Sequence, residues 1–353
     1  MAFKTAAGYG NLPNGNFSPV IYSKKVQSAF RKTSIVEDIT NSDYFGEIAN
    51  FGDTVRIIKE PEITVQEYAR GTQVTPQDLT DDDFTLVVDK ANYFAFKIDD
   101  IEEAHSHVNF ESMASDRAGY RLKDQFDQEV LGYLSGFKQT ALSTVASTAN
   151  DVKSGTDPVT AGSDGLLSSM ELTHGDFSGS GTPANSIAMS ASNTSAVATP
   201  LAILNRMSRL LDQQNVDRDG RWVVVDPVFA EELNDENSKL LNNDFAGGQN
   251  AGDLLRNGRV ISGLIRGFRV YMSNNLPSIG TGSSTINTNG SGSNFGVIVA
   301  GHDSAVATAS QVEKVETYRD NDSFADIVRG MHLYGRKILR PEALVRAKYN
   351  LYS

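Results

Sequence analysis

The feature that most constrains the fold is a stripe of apolar side chains between residues 108 and 137. Apolar residues recur there at steps of four, with one step of three, which places them along one face of a helix. The stripe consists of Phe110, Ala114, Ala118, Leu122, Phe126, Val130, Leu134 and Phe137. Asp116, Asp124 and Asp127 lie off the stripe. At about 1.5 Å per residue, the helix would be roughly 45 Å long, which suits a structural strut.

Residues 51–98 have the composition of β-structure. A polar stretch, 67–83, ends in three consecutive aspartates and separates runs of β-branched and aromatic residues. These runs are 54–58, 63–65, 84–88 and 93–98. The pattern favours a long two-stranded β excursion with an acidic tip. Because an isolated two-stranded hairpin is at best marginally stable in water, we expect it to need a partner surface on another subunit.

Two stretches are low in sequence complexity. Residues 1–34 are rich in Gly, Pro, Asn and Ser, which is typical of an extended arm that lies on a neighbour. In residues 141–200, Ser, Thr, Gly and Ala supply 35 of 60 positions. We expect either a surface insertion there or a set of short strands, such as one at 186–190.

The remaining chain reads as a small α/β unit followed by strands. Thr199 and Pro200 form a helix start, with Thr199 as the N-cap. A turn at 217–220 leads into a short buried strand at 222–225, and a second buried strand is expected at 295–300. The tail, 312–349, is rich in strand-forming residues.

Composition excludes several classes of protein. There is no Cys, which removes disulfide scaffolds, thiol nucleophiles and cysteine-ligated metals together. The 44 acidic residues outnumber the 32 basic ones, and an acidic surface disfavours sequence-independent binding of nucleic acid. No apolar run is long enough to span a bilayer, and the N-terminus lacks the apolar region of a signal peptide. We expect a protein made in a cytosol without a membrane partner.

The nearest approach to a metal site lies between residues 99 and 107. Its potential ligands are Asp99, Asp100, Glu102, Glu103, His105 and His107. Such a cluster is compatible with a metal-dependent hydrolase, but carboxylates are also favoured at the approach to a helix N-terminus. Asn215, Asp217 and Asp219 resemble the start of a calcium loop, yet the pattern fails at Asp226, so we expect a turn. The sequence predicts no catalytic residue, no cofactor and no metal ligand.

The order of parts resembles the major capsid proteins of tailed bacteriophages, whose fold is named after phage Hong Kong 97. Individual segments sharpen the resemblance. Residues 51–55 resemble the entry to that family's extended loop, and 93–101 resemble its return into a long helix. Further similar segments are 220–227, 267–277, 334–335 and 339–344. The resemblance covers roughly residues 20–350.

The resemblance implies an α+β, Hong Kong 97-type capsid fold. It divides the chain into an arm, an extended β-hairpin loop (E-loop), a peripheral domain with the long helix and the Ser/Thr/Gly/Ala-rich insertion, an axial α/β domain, and a strand-rich return. In that order the expected bounds are 1–50, 51–98, 99–198, 199–305 and 306–353.

The implied function is that of a major capsid protein of a double-stranded DNA phage. Such proteins self-assemble as hexamers and pentamers into an icosahedral shell, which encloses DNA without sequence-specific binding. The implied partners are other copies of the chain, a separate scaffolding protein, a portal and decoration proteins; the implied location is the virion, after synthesis in the host cytoplasm. An encapsulin-like bacterial compartment, a metal-dependent hydrolase and a tail or adhesion protein are the alternatives.

Opposite charges on two extensions point to candidate contacts between subunits. Residues 1–34 carry five basic residues and no acidic residue, whereas the tip of the β excursion is acidic. The candidate contact residues are Lys24, Lys25, Arg56, Lys59, Arg70, Asp81, Asp82 and Asp83. The alternative is that the acidic tip is simply solvated.

Overall fold

The structure is a computed structural model. It describes residues 34–41, 54–59, 63–71, 73, 76–78, 82–99, 110–136, 167–178, 186–190, 197–234, 264–279, 295–321 and 323–351. The predicted arm up to residue 33, most of the 99–107 cluster and much of the low-complexity stretch lie outside these residues.

Five helices and twelve strands form the described part of the chain. The helices are α1 (Val36–Ile39), α2 (Phe110–Ser135), α3 (Gly175–Ser178), α4 (Pro200–Gln213) and α5 (Pro227–Leu233). The strands before α4 are β1 (Thr54–Lys59), β2 (Asp82–Val87), β3 (Lys90–Asp99), β4 (Glu171–Leu172) and β5 (Ile187–Met189). The later strands are β6 (Arg221–Val225), β7 (Arg269–Met272), β8 (Ser278–Ile279), β9 (Phe295–His302), β10 (Val306–Arg319), β11 (Ala325–Ile338) and β12 (Leu344–Leu351).

The strands form three sheets. A seven-stranded mixed sheet has the order β4-β12-β9-β6-β7, with β5 also paired to β12 and β8 to β9. A three-stranded antiparallel sheet has the order β10-β11-β3, and β1 pairs with β2 alone. The predicted α+β class is therefore observed.

The seven-stranded sheet and its helices form an α/β unit, which also includes β4, β5 and β12 from outside the predicted range 199–305. Thr199 caps α4 by accepting a hydrogen bond from the amide of Ala202, at 3.3 Å. Every residue of β6 is buried, and Asp226 ends this strand by capping α5 through the amide of Phe229, at 3.1 Å. The strands predicted at 186–190, 222–225 and 295–300 are confirmed as β5, β6 and β9.

The predicted long helix is confirmed as α2, with 26 residues. Its second half is buried all round, because it packs against α1 and β11 as well as against the seven-stranded sheet. Phe126, Val130 and Leu134 of the stripe are buried, but so are Asp124 and Asp127. The sequence pattern places these two aspartates off the apolar stripe, but it does not predict that both are buried inside the protein.

The β excursion differs from its prediction in two ways. β3 pairs with β11 and belongs to the three-stranded sheet, so the hairpin consists of β1 and β2 only. Residues 63–65 form no strand, because backbone pairing of β1 and β2 ends at Lys59 and Asp82. Asp82 and Asp83 consequently lie within β2 rather than at a tip, and Asp81 lies outside the described residues.

The base of the hairpin also packs on its own chain. Leu86 and Val88 are buried with Ala307, Ala309 and Leu339 of the β10–β11 region. Val55 and Ile57 pack against the same cluster. The expectation that the hairpin lacks a core within its own subunit is therefore wrong for its base, because the three-stranded sheet supplies one.

Candidate assembly surface

One face of the β1–β2 hairpin points away from the body of the protein. Residues alternate between the faces of a strand, so Arg56 and Ile58 share the outer face with Asp83 and Val87 of β2. The side chain of Ile58 is 82% exposed. The guanidinium Nε of Arg56 lies 3.4 Å from a carboxylate oxygen of Asp83, and both side chains are exposed. Such an exposed ion pair contributes at most about 1 kcal/mol to the stability of the fold.

The segment that follows β1 continues this apolar exposure. Ile63, Val65 and Tyr68 are all exposed, and Val65 is 94% exposed. We call the set of Ile58, Ile63, Val65, Tyr68 and Val87 the outer hairpin surface. Single exposed apolar residues are ordinary on a protein, but several of them on one hairpin and on the segment after its first strand make this part of the chain a candidate interaction site.

A second exposed apolar region lies on one face of the three-stranded sheet. Tyr93 on β3 is directly opposite Met331 on β11, and the Tyr93 side chain is 80% exposed. Beside them, the Arg329 guanidinium lies 4.8 Å from the centre of the Tyr318 ring and 2.8 Å from a carboxylate oxygen of Glu316. These residues line an open groove of about 570 Å³. We call this region the open sheet face.

The opposite face of the same sheet is fixed to helix α2. The ring of Phe126 makes edge-to-face contacts with Tyr334, at 4.9 Å, and with His332, at 5.6 Å. Arg336 lies 4.4 Å from the centre of the Tyr133 ring. Helix α2 therefore backs the sheet at His332, Tyr334 and Arg336.

The two buried aspartates of α2 hold separate parts of the chain. Asp124 accepts a hydrogen bond from the side-chain amide of Asn275, at 3.0 Å, in the loop between β7 and β8. Asp127 accepts bonds from the hydroxyl of Ser34, at 2.9 Å, and from the amide of Ile35, at 3.1 Å. Sequence reasoning missed both roles, because the partners are remote in sequence and no local pattern marks them.

The predicted contact residues have different outcomes. Lys24, Lys25 and Asp81 lie outside the described residues, and Lys59 and Asp82 are paired along the backbone of the hairpin. Arg56 and Asp83 form an ion pair within the chain, and Arg70 is exposed. Contacts of these residues with another subunit remain a prediction.

The structure supports the turn interpretation at 215–220. Arg221 is buried and binds a carboxylate oxygen of Asp212 at 2.8 Å and the backbone oxygen of Asp217 at 2.7 Å. Hydrogen bonds from Arg221 and Arg218 lower the pKa of the Asp212 carboxyl. The turn is thus held by an internal guanidinium.

The metal-site interpretation of residues 99–107 gains no support from the described residues. Of the 99–107 cluster only Asp99 is described, at the end of β3, and no group of three potential ligand residues occurs in the described ranges. Among the described helices, none is long and apolar enough to cross a membrane.

The comparisons with known proteins identify the family. The sequence model of the phage capsid protein family matches residues 59–347, most of the chain. The chain belongs to the phage capsid protein family. No curated protein matches this capsid protein in sequence.

Solved structures agree with this assignment. A structure from Mycobacterium phage Che8 is 25% identical, with a TM-score of 0.68, and the match covers 94% of this chain and 97% of that one. The capsid structure of cyanophage P-SCSP1u is 21% identical, with a TM-score of 0.63 and coverage of 95% and 93%. The capsid of Ralstonia phage GP4 is 12% identical, with a TM-score of 0.63 and coverage of 99% and 98%.

These similarities confirm the predicted Hong Kong 97-type capsid fold and the function as a major capsid protein of a phage shell. The capsid protein is thus a structural protein of the virion that assembles into a multimeric shell. The comparisons favour neither the encapsulin-like compartment nor the metal-dependent hydrolase.

Proposed function

We propose that this capsid protein forms hexamers and pentamers that close into an icosahedral shell around double-stranded DNA. The observation that carries the proposal is the structural match to phage proteins over nearly the full length of both chains. Hexamers and pentamers are rings, and a ring of identical subunits requires an interface in which two different surfaces of the chain contact each other. The outer hairpin surface and the open sheet face are two such surfaces.

In this proposal, the outer hairpin surface of one copy packs on the open sheet face of a neighbour. Both surfaces expose apolar side chains, Ile58 and Val65 on one and Tyr93 and Met331 on the other. Burial of such surface contributes about 25 cal/mol per Å² before the costs of association are subtracted. Aromatic residues and Arg are enriched in the buried centres of interfaces, which fits Tyr318 and Arg329 in the groove.

Attraction between opposite charges on different subunits would be a second contribution to assembly. The basic residues of 1–34 and the acidic residues Asp81, Asp82 and Asp83 would pair across subunits. The bond between Arg56 and Asp83 already uses part of this acidic charge within the hairpin. Changing the three aspartates to Lys should therefore impair shell formation while the subunit stays folded, whereas Asp83→Lys alone should have a smaller effect. Normal particles from the triple variant would show that these residues are only solvated.

Further partners follow from the same proposal. A separate scaffolding protein would guide assembly, a portal would occupy one vertex, and decoration proteins would bind the outer surface. The net charge of −12 is suited to a container that does not bind its packaged DNA tightly. Synthesis would take place in the host cytoplasm, and the protein would carry no catalytic activity.

The direct test is to express the full chain with and without the other head proteins of its phage. Sedimentation and negative-stain imaging should show closed particles, which contain long DNA when the packaging proteins are present. Only monomers, trimers or open rings under all conditions would contradict the proposal. Particles that contain a protein cargo in place of DNA would contradict the proposal that the shell encloses DNA.

A further inference from the structure

The described segment 34–41 is a short strap that lies across the interior of the subunit. Ile35, Val36 and Ile39 are buried in the same cluster as the second half of α2. Beyond them, the hydroxyls of Thr40 and Thr308 lie 2.8 Å apart, and Asn41 forms a backbone bridge to Ala307 of β10. The strap therefore contacts both the long helix and the three-stranded sheet.

Helix α1 within the strap has no cap of its own. Its N-cap residue is Ile35, whose side chain accepts no hydrogen bond. The first amides of a helix need acceptors from elsewhere. Asp127 of α2 supplies them, because its carboxylate accepts bonds from the Ile35 amide and the Ser34 hydroxyl and is also hydrogen-bonded by the backbone of Val36.

This arrangement suits a protonated carboxyl as well as a charged one. A serine hydroxyl can donate or accept a hydrogen bond, so Ser34 can reverse its bond and accept a hydrogen bond from the O–H of a neutral Asp127. The second carboxyl oxygen would keep its bond from the Ile35 amide. Protonation of Asp127 therefore breaks no hydrogen bond to the strap.

The charged form, in contrast, is disfavoured by burial. Asp127 is completely buried, and within the described part of the chain no cation lies within ion-pair distance of it. The ammonium of Lys123, one turn away, lies 3.0 Å from the Glu37 carboxylate. Loss of water raises the pKa of Asp127 to about 6, against the opposing effects of its hydrogen bonds and of Lys123.

Other ionisable groups occur on the elements around this site. Helix α2 carries Lys123, Asp124 and Glu129, the strap carries Glu37 and Asp38, β11 carries His332 and Arg336, and β3 carries Lys90. Strand β9 faces the helix with Val297 and Val299, which do not titrate. Because histidine in general titrates near neutral pH, His332 is the group whose effect most needs a control.

We propose that segment 34–41 is a proton-gated strap, which docks more tightly on α2 when Asp127 is protonated and loosens as the pH rises towards neutrality. An undocked strap would return Asp127 to water, where the carboxyl ionises readily. Proton binding therefore stabilises the docked form fully below the ordinary pKa of 3.8, and this stabilisation is lost as the pH rises through the raised pKa of about 6. The docking equilibrium should be about tenfold more favourable at pH 5 than at pH 8.

Hydrogen exchange on the full-length, unassembled chain tests this proposal. The amide of Ile35 bonds to the carboxylate of Asp127, and the amide of Asn41 bonds to the backbone oxygen of Val306, so exchange of these two amides reports separation of the strap from the body of the subunit. The exchange rates of the strap amides are corrected for the intrinsic effect of pH. They are then compared with the exchange rates of the amides of β6, which report global unfolding. We expect strap protection to be about tenfold greater at pH 5 than at pH 8, beyond any change in β6.

Two variants separate Asp127 from its surroundings. Asp127→Asn keeps an acceptor for Ile35 and mimics the neutral carboxyl, so strap protection should become high and independent of pH. His332→Gln should keep the pH dependence of the wild type. The proposal is overturned if protection in the wild type does not change with pH, if Asp127→Asn retains the change, or if the strap opens only together with β6.

Discussion

The backbone of Val87 crosses strand β11 directly over Gly335. A β carbon at position 335 would collide with the carbonyl oxygen of Val87 and would lie 3.0 Å from the Cα atom of Val88. This crossing seats the base of the β1–β2 hairpin on the three-stranded sheet, where Leu86 and Val88 are buried. Glycine at 335 is therefore required by the close approach of two backbones.

Gly335→Ala should lower the free energy of unfolding by about 1–3 kcal/mol, because a backbone cannot move aside as a flexible side chain can. Chemical denaturation measures this loss. Gly119→Ala is the matched control, since a β carbon there meets no atom within 4 Å. In the helix interior, that change should stabilise the chain by about 0.5–1 kcal/mol. Equal effects of the two substitutions would contradict the crossing.

Phe126→Ala should destabilise the subunit by about 3–5 kcal/mol, because the ring is buried against Tyr334 and the site is packed from several sides. Tyr93→Ala removes an aromatic ring from the open sheet face and should change the stability by no more than about 0.5 kcal/mol. Denaturant titrations of both variants provide the comparison. A near-wild-type stability of Phe126→Ala would contradict the packing of helix α2 on strand β11.

Val65→Asp should leave the subunit folded but prevent or slow shell assembly. Val65 is almost fully exposed, so the charge costs nothing in the isolated chain, whereas it would have to be desolvated in an apolar interface. Gln66→Asp introduces the same charge at the adjacent exposed position and should have a smaller effect. Light scattering during assembly measures both. Indistinguishable assembly of Val65→Asp and wild type would remove Val65 from the interface.

A buried ion-pair cluster joins the end of α2 to the seven-stranded sheet. Arg346 binds Glu171 at 2.6 Å and the backbone oxygen of Ser135 at 2.8 Å, and Lys348 lies 3.0 Å from Glu171. Glu171→Ala should cost about 3–5 kcal/mol, because it leaves buried cations without their carboxylate. Asp303→Ala, which breaks the half-exposed pair with Arg269, should cost about 1 kcal/mol or less.

A double-mutant cycle gives a stricter check of this cluster. Glu171→Leu combined with Arg346→Met should cost less than the sum of the two single changes, because neither charge is then left alone. Additive losses, measured by denaturation, would indicate that the two side chains do not act as a pair.

The elements predicted best from the sequence are those whose pattern is local. Helix α2 follows from a repeat of apolar residues, α4 from its Thr199 cap, and β6 and β9 from short apolar runs between turns. The prediction of a strand at 63–65 is wrong, because β-branched residues favour an extended backbone but cannot supply a partner strand.

The candidate site was only partly predictable for a related reason. The sequence indicates an exposed excursion at 51–98, but not that its base packs on Ala307 and Ala309, which lie far along the chain. The periodicity of the apolar residues places Asp127 off the apolar face. Its burial could not be predicted, because its partners Ser34 and Ile35 are remote in sequence. Burial of a charged residue depends on tertiary packing, which periodicity does not report.

The central claim is that the chain is a shell subunit whose outer hairpin surface packs on a neighbouring copy. A cryo-electron microscopy reconstruction of assembled particles tests it most directly. The account predicts a closed icosahedral shell in which Ile58 and Val65 are covered by the Tyr93 and Met331 face of an adjacent subunit. A closed shell with these residues still facing solvent would contradict the proposed contact, and particles without closed shells would contradict the claim itself.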